Sequence, residues 1–189
     1  MCNERVLCAG FGGQGVMSLG QLLAYAGMIE NKHVTWLPSY GPEMRGGTAY
    51  CNVVVSDTPV GSPLVTGNAS CAILMNLPSL LKFEQSVVAG GMILVNSSLT
   101  DKKVSRRDVQ VHYIPAGELA DECGNTKAAN MVMLGAYLAL TEKVQLASII
   151  QAFKKVFGNK SRHLIDLNIA ALQKGADAAL SDQHVLETA

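Results

Sequence analysis

Three glycines, Gly10, Gly12 and Gly15, with Gln14 among them, close an apolar run that begins at Val6. Their type and spacing are the first sign of chemistry in the chain. Glycine lets a backbone reverse sharply, take positive φ and approach a ligand or a packed helix closely. A strand that ends in such a turn and passes straight into a helix leaves the helix's first N–H groups unpaired, at the positive end of its dipole. That is a place for an anion. The spacing satisfies the dinucleotide fingerprint, but the fingerprint also wants an acidic residue at the end of the second strand. Here Val34-Thr35-Trp36-Leu37 leads into Pro38-Ser39-Tyr40, with no acid to hold a ribose. Ordinary NAD use is thereby weakened. The same glycines would also serve a purely structural strand-to-helix packing.

A second candidate is the stretch Ser39 to Gly47, which holds Tyr40, Glu43 and Arg45 among Gly41, Pro42, Gly46 and Gly47. Two prolines, Pro38 and Pro42, stiffen it, and the glycines open backbone shapes closed to other residues. A stiff loop with one arginine suits a carboxylate or phosphate, because the guanidinium fork can donate twice. The competing reading is a Glu43–Arg45 pair that only braces the loop. No other constellation stands out. His33, His112, His163 and His184 are scattered, each read as a surface or edge residue. There is no G-x-S-x-G elbow, and no lysine of the phosphate-loop type follows the glycines. Five cysteines, Cys2, Cys8, Cys51, Cys71 and Cys123, show neither zinc nor iron–sulfur spacing. Cys8, Cys51 and Cys71 lie in strand-like segments, where a free buried thiol is usual.

The elements that must position these residues follow from periodicity. Val16 to Ile29 has the helical repeat Val16, Leu19, Leu22, Leu23, Ala26, Ile29. Val34 to Leu37 and Thr48 to Ser56 read as strands. The link between them is too short for a parallel crossover, so they are expected to pair antiparallel. Cys71 to Met75 is another fully apolar strand. Asn76 caps a helix with Pro78 early in it, expected from Leu77 to about Val88 and ended by Gly90-Gly91. Met92 to Val95 returns as a parallel strand. Asn96 to Asp108 is a polar, basic loop, and Val109 to Ile114 an edge strand. Helices are expected at Glu118 to Glu122, Asn130 to Leu140, Val144 to Phe157 and Ile165 to about Leu180. The resulting expectation is a single α/β domain over residues 1–189, three layers (α/β/α) about a mixed, mostly parallel sheet with a Rossmann-like first strand–glycine turn–helix. The loop from Ser39 should leave the same end of the sheet as the glycine turn, both following strands of a first parallel pair. Open α/β sheets bind ligands at that end.

Composition bounds the partners. Of 189 residues, 49% are hydrophobic and 16% charged, a surplus that hints at apolar surface covered by other subunits. Fifteen basic and fifteen acidic side chains cancel, which leaves no footprint for nucleic acid or an anionic membrane. The N-terminus lacks the form of a signal peptide, and no apolar run reaches the roughly 18 residues of a membrane span. A cytoplasmic protein with reduced cysteines is the expectation.

Together, Gly10-Phe11-Gly12-Gly13-Gln14-Gly15, Ser39-Tyr40-Gly41-Pro42-Glu43-Met44-Arg45-Gly46-Gly47, Asn96-Ser97-Ser98 and Asn130-Met131-Val132-Met133-Leu134-Gly135 resemble the gamma subunit of 2-oxoacid:ferredoxin oxidoreductases, over essentially the whole chain. The resemblance implies a non-autonomous subunit of an enzyme that oxidatively decarboxylates a 2-oxoacid to an acyl-coenzyme A, with ferredoxin as electron acceptor. It implies alpha and beta partner subunits, and in some members a delta subunit. Thiamine diphosphate and iron–sulfur clusters would sit in those sister chains, and this chain would bind no cofactor by itself. Coenzyme A is the co-substrate over which the gamma domain is implicated in closing. The implied contact residues are Gly12, Gly13, Gln14, Gly15, Tyr40, Glu43, Arg45, Gly46, Gly47 and Asn130, with no catalytic residue and no metal ligand in this chain. Without a cysteine-rich tail after Ala189, a fused delta portion is not expected, which favours 2-oxoglutarate or a branched-chain oxoacid over pyruvate. The competing readings are a free-standing nucleotide-binding sensor and a dehydrogenase that uses NAD alone.

Overall fold

The structure, a computed structural model, describes residues 2–39, 48–158 and 162–187. Its centre is a six-stranded sheet: β1 (Asn3–Phe11), β2 (His33–Ser39), β3 (Thr48–Ser56), β4 (Ala69–Leu74), β5 (Val87–Asn96) and β6 (Gln110–Ile114). The strand order is β2-β3-β1-β4-β5-β6. The sheet is parallel through β1, β4, β5 and β6, while β3 runs antiparallel to both β1 and β2. β1 and β2 therefore point the same way, so the turn after β1 and the segment after β2 leave one end of the sheet. They are not a neighbouring pair, because β3 is inserted between them.

Alternation along each strand divides the core. Val6 and Cys8 of β1, Cys51, Val53 and Val55 of β3, and Cys71 and Ile73 of β4 face one layer. That layer is built from α1 (Val16–Ile29), α3 (Ala116–Glu122), α4 (Ala129–Thr141), α5 (Leu146–Phe157) and α6 (Arg162–Glu187). Leu7, Ala9, Val54, Ala72, Leu74, Ile93 and Val95 face the other side, where α2 (Leu77–Phe83), a 3-10 turn at Glu84–Ser86 and Val65 cover them. α1 lies close against the antiparallel pair through two small residues. A Cβ on Gly20 would come within 2.4 Å of Cys51 Sγ, and one on Gly27 within 2.9 Å of Val34 Cγ2. α4 is buried without a break from Asn130 to Leu138, between the sheet and α6.

All five cysteines are free. Cys8 stands opposite Cys51 in the β1–β3 register, and a hydrogen bond with that neighbour, followed by burial, pushes its thiol well up. Burial does the same for Cys71. Both stay protonated and behave as small apolar residues.

Four expectations are corrected. The helix from Leu77 stops at Phe83, because the chain tightens into the 3-10 turn where the buried Glu84 is gripped by Ser105. β5 then starts at Val87, which pairs with Ala69, and Gly90-Gly91 lie inside the strand and end no helix. Gly90 N–H leaves the ladder to donate to Asp108 O at 2.6 Å. The last helix is longer than the apolar repeat, from Arg162 to Glu187. His112, although on edge strand β6, is buried.

Candidate functional site

At the carboxyl end of β1 the chain turns through Gly12–Gly15, with Gln14 N–H donating to Phe11 O at 3.1 Å. Gly15 is the N-cap of α1 and has left-handed backbone (φ 73°, ψ 18°), and no side chain caps this helix. Two constraints fix glycine there. The left-handed conformation disfavours any Cβ, and a Cβ would lie 2.3 Å from Asn130 Nδ2. Asn130 Nδ2 donates to Gly15 O at 3.0 Å, and the same oxygen accepts the first helical bond from Leu19 N–H. Gly13, by contrast, faces outward, with nothing within 4 Å of where a Cβ would be. The turn borders a cleft of about 360 Å3 lined by Phe11, Gly12, Gly13, Met17, Ser18 and Ala49. The uncapped N-terminus of a fourteen-residue helix at such a cleft is suited to an anion.

A row of amides runs from this turn along the same end of the sheet. Gln14 Oε1 accepts from Phe11 N–H at 2.6 Å and from Asn76 Nδ2 at 2.8 Å. Asn76 Oδ1 in turn caps α2 by accepting from Ser79 N–H at 3.0 Å. Asn96, at the end of β5, donates through Nδ2 to Met75 O at 3.2 Å and accepts from Ser98 N–H at 3.2 Å. Ser98 Oγ accepts from Gly117 N–H at 2.7 Å and donates to the Glu118 carboxylate. That bond, ahead of Glu118's own N–H, holds the Glu118 carboxyl below its ordinary value. The ends of β1, β4 and β5 are thus tied together by neutral amides, and the Ser98 hydroxyl with the Glu118 carboxylate continues the rim to α3.

Of the sequence-derived candidates, the structure brings together Gly12, Gly13, Gln14, Gly15 and Asn130. Gln14 and Asn130 face inward as braces: the acceptor of Gln14 is occupied twice and Asn130 is 6% exposed. Tyr40, Glu43, Arg45, Gly46 and Gly47 lie outside the described residues. The residues on either side of that segment are placed: Ser39 pairs with Tyr50, and Thr48 pairs with Phe11, directly beside the glycine turn. Sequence reasoning took Asn76 only as a helix cap and missed its bond to Gln14. Among the described residues no three His, Cys, Asp or Glu side chains gather as a metal site, and no helix is long and apolar enough to cross a membrane.

An open mixed sheet with a glycine turn, an uncapped helix and an amide-braced rim at its carboxyl end defines an open α/β protein, a class in which ligands commonly bind at that end of the sheet. Residues 5–178 match the family model described as pyruvate ferredoxin/flavodoxin oxidoreductase, and the chain belongs to that family. It is 43% identical over 176 residues to the ketoisovalerate oxidoreductase subunit VorA of Methanothermobacter thermautotrophicus, a match over 93% of this chain and 36% of that protein. The chain therefore spans about a third of the length of that relative. The gamma subunit of a keto/oxoacid ferredoxin oxidoreductase from Geobacter sulfurreducens superposes with a TM-score of 0.80 at 28% identity, over 94% of this chain and 99% of that one. The 2-oxoglutarate:ferredoxin oxidoreductase of Magnetococcus marinus, solved with 2-oxoglutarate, coenzyme A and succinyl-CoA bound, shares the fold with a TM-score of 0.85 at 21% identity. That match covers 96% of this chain and 32% of that one.

Proposed function

We propose that the chain is the gamma subunit of a 2-oxoacid:ferredoxin oxidoreductase and that its glycine turn meets an anionic group of coenzyme A in the assembled enzyme. The observation that carries the reading is the uncapped start of α1, set behind a turn whose Gly13 faces out while Asn130 pins Gly15. Two features of relatives support it: a gamma subunit of near-equal length has the same fold, and the Magnetococcus enzyme binds coenzyme A. Thiamine diphosphate and iron–sulfur clusters would be held in this reading by alpha, beta or delta subunits and would supply the decarboxylation and electron-transfer chemistry there. This chain's residues bind and orient the thioester-forming co-substrate in this reading. Identity to a ketoisovalerate enzyme favours a branched-chain oxoacid as the substrate of the assembly.

The test is reconstitution. The purified chain alone should neither oxidise any 2-oxoacid nor form acyl-coenzyme A. Added to the alpha and beta subunits, it should restore acyl-coenzyme A formation and lower the KM for coenzyme A. Equal coenzyme A kinetics with and without the chain would reject the reading.

A further inference from the structure

The carboxyl ends of β1 and β4 are the place where this sheet reverses its order. α1 leaves β1 for one face of the sheet, and α2 leaves β4 for the other. From this parallel pair the order runs outward both ways, through β3 to β2 and through β5 to β6. In open α/β sheets the crevice at such a switch point is where a dinucleotide lies across the strands, its pyrophosphate on the glycine turn.

Here that crevice is filled. Met75 N–H donates to Ala9 O at 2.9 Å, which carries the β1–β4 contact one residue past the end of β4. Gln14 folds back over its own turn, and its Oε1 accepts Phe11 N–H from β1 and Asn76 Nδ2 from the β4 side. A Cβ on Gly10 would fall 2.7 Å from Gln14 Oε1, 2.8 Å from Val16 Cγ2 and 2.9 Å from Met75 Cβ. Three side chains therefore close the space beside Gly10. Asn76 is 3% exposed, and its own Oδ1 is held by Ser79 N–H. The open cleft at the turn lies towards β3 instead, where Ala49 joins Phe11, Gly13, Met17 and Ser18, and neither Gln14 nor Asn76 lines it.

We propose that Gln14 and Asn76 determine which ligands this end of the sheet accepts. Their bridge bars a dinucleotide, which has to lie across β1 and β4. It leaves the β3 side of the turn to a ligand that carries a nucleotide at one end only. Coenzyme A is such a ligand, so the inference deepens the reading above and rests on it for the identity of the accepted molecule. The exclusion itself rests on the filled crevice. It is specificity by obstruction, in which the wrong ligand meets a steric block and the right one needs no extra contact. The absent acid after β2 removes a ribose contact, and the bridge removes the room.

The experiment is titration of the full chain with NADH, followed by the fluorescence of its nicotinamide ring. The wild-type chain should show no binding at millimolar concentration. Gln14→Ala, which empties the crevice, should bind NADH with a Kd roughly tenfold or more below the wild-type limit. Asn76→Ser keeps a capping oxygen for α2 but cuts the bond to Gln14, and should admit NADH as well. Melting curves establish that both variants fold. In the reconstituted complex, Ser18→Trp fills the β3-side cleft and should raise the KM for coenzyme A by about tenfold or more. NADH binding by the wild-type chain, or by neither folded variant, overturns the exclusion, and an unchanged KM in Ser18→Trp overturns the approach from β3. Failure of the coenzyme A reading would show separately, as equal coenzyme A kinetics with and without the chain, and would leave the NADH result standing.

Discussion

Gly135 of α4 and Gly175 of α6 make a reciprocal contact between two helices. A Cβ on Gly135 would fall 1.9 Å from the carbonyl oxygen of Leu172, and one on Gly175 would fall 1.9 Å from that of Val132. Each glycine thus presses on the backbone three residues before the other, and the helices touch without side chains between them. Backbone cannot yield as a flexible side chain can. Gly135→Ala or Gly175→Ala should each cost about 1–3 kcal/mol, the usual range for forced overpacking, by wedging the helices apart. The double variant should lose less than the sum, because the first methyl group already opens the crossing. Urea denaturation of the three variants checks both statements, and additive losses would mean that the two contacts yield independently.

The same helix carries Asn130 to the glycine turn five residues earlier, so a motif read as one segment has two jobs. Asn130→Asp keeps the shape but removes the Nδ2 donor and sets a carboxylate against Gly15 O. We expect a loss of about 1–3 kcal/mol in the folded chain, the cost of an unsatisfied or repulsive buried pair. In the assembled enzyme the negative charge should also repel an anion at the start of α1, raising the KM for coenzyme A more than it lowers kcat. Steady-state kinetics with Asn130→Ser as the neutral control separates the two effects. Equal KM in Asp and Ser variants would show that only folding is at stake.

Acid stability should depend on two carboxylates. Burial alone would raise the Glu84 carboxyl, but hydrogen bonds from Ser105 Oγ at 2.5 Å and Ser105 N–H, then Gln85 and the charge of Lys102, leave it below its ordinary value. Glu30 is similar: burial raises it, while Gln145 N–H at 2.7 Å, Lys32 at 2.9 Å and Ser148 bring it down. A carboxyl with a depressed folded value favours folding above its unfolded value, and that contribution fades as pH falls through the folded one. Melting temperature should therefore decline below about pH 4.5. Glu84→Gln should lower stability at pH 7 and flatten the acid limb. A parallel shift of the whole curve would show that Glu84's charge plays no part.

Much of this was legible from residue types. The Val16–Ile29 helix, the antiparallel β2–β3 pair and the edge position of the last strand followed from periodicity, from a link too short for a crossover and from a flanking basic loop. The end of α2 was not, because Val87-Val88 continues an apolar run that either a helix or a strand can use, and the deciding bond from Ser105 lies 21 residues away. The glycine turn was visible, but its two braces were not. Asn76 is 62 residues from Gln14 and Asn130 is 115 from Gly15, separations that only the folded sheet closes.

The remaining prediction concerns Arg45, whose role rests on its type and on where its segment is anchored. Thr48 pairs with Phe11 beside the glycine turn, and Ser39 pairs with Tyr50 one strand further out, so the residues flanking positions 40–47 lie at the same end of the sheet as that turn. An arginine tethered there can add a bidentate grip to the anion that the start of α1 favours. Arg45→Lys keeps the charge and loses the fork. In the assembled enzyme it should lower kcat/KM for coenzyme A by roughly ten- to a hundredfold, as for loss of one charge-assisted contact of about 1.5–3 kcal/mol. Subunit assembly and iron content should not change. If Arg45 only braces its loop against Glu43, Arg45→Lys should be mild, and Arg45→Ala and Glu43→Ala should lose stability with strong coupling in a double-mutant cycle. Kinetics with varied coenzyme A, run beside melting curves of the same variants, decides between the two. Unchanged kinetics in Arg45→Ala would remove the residue from the site.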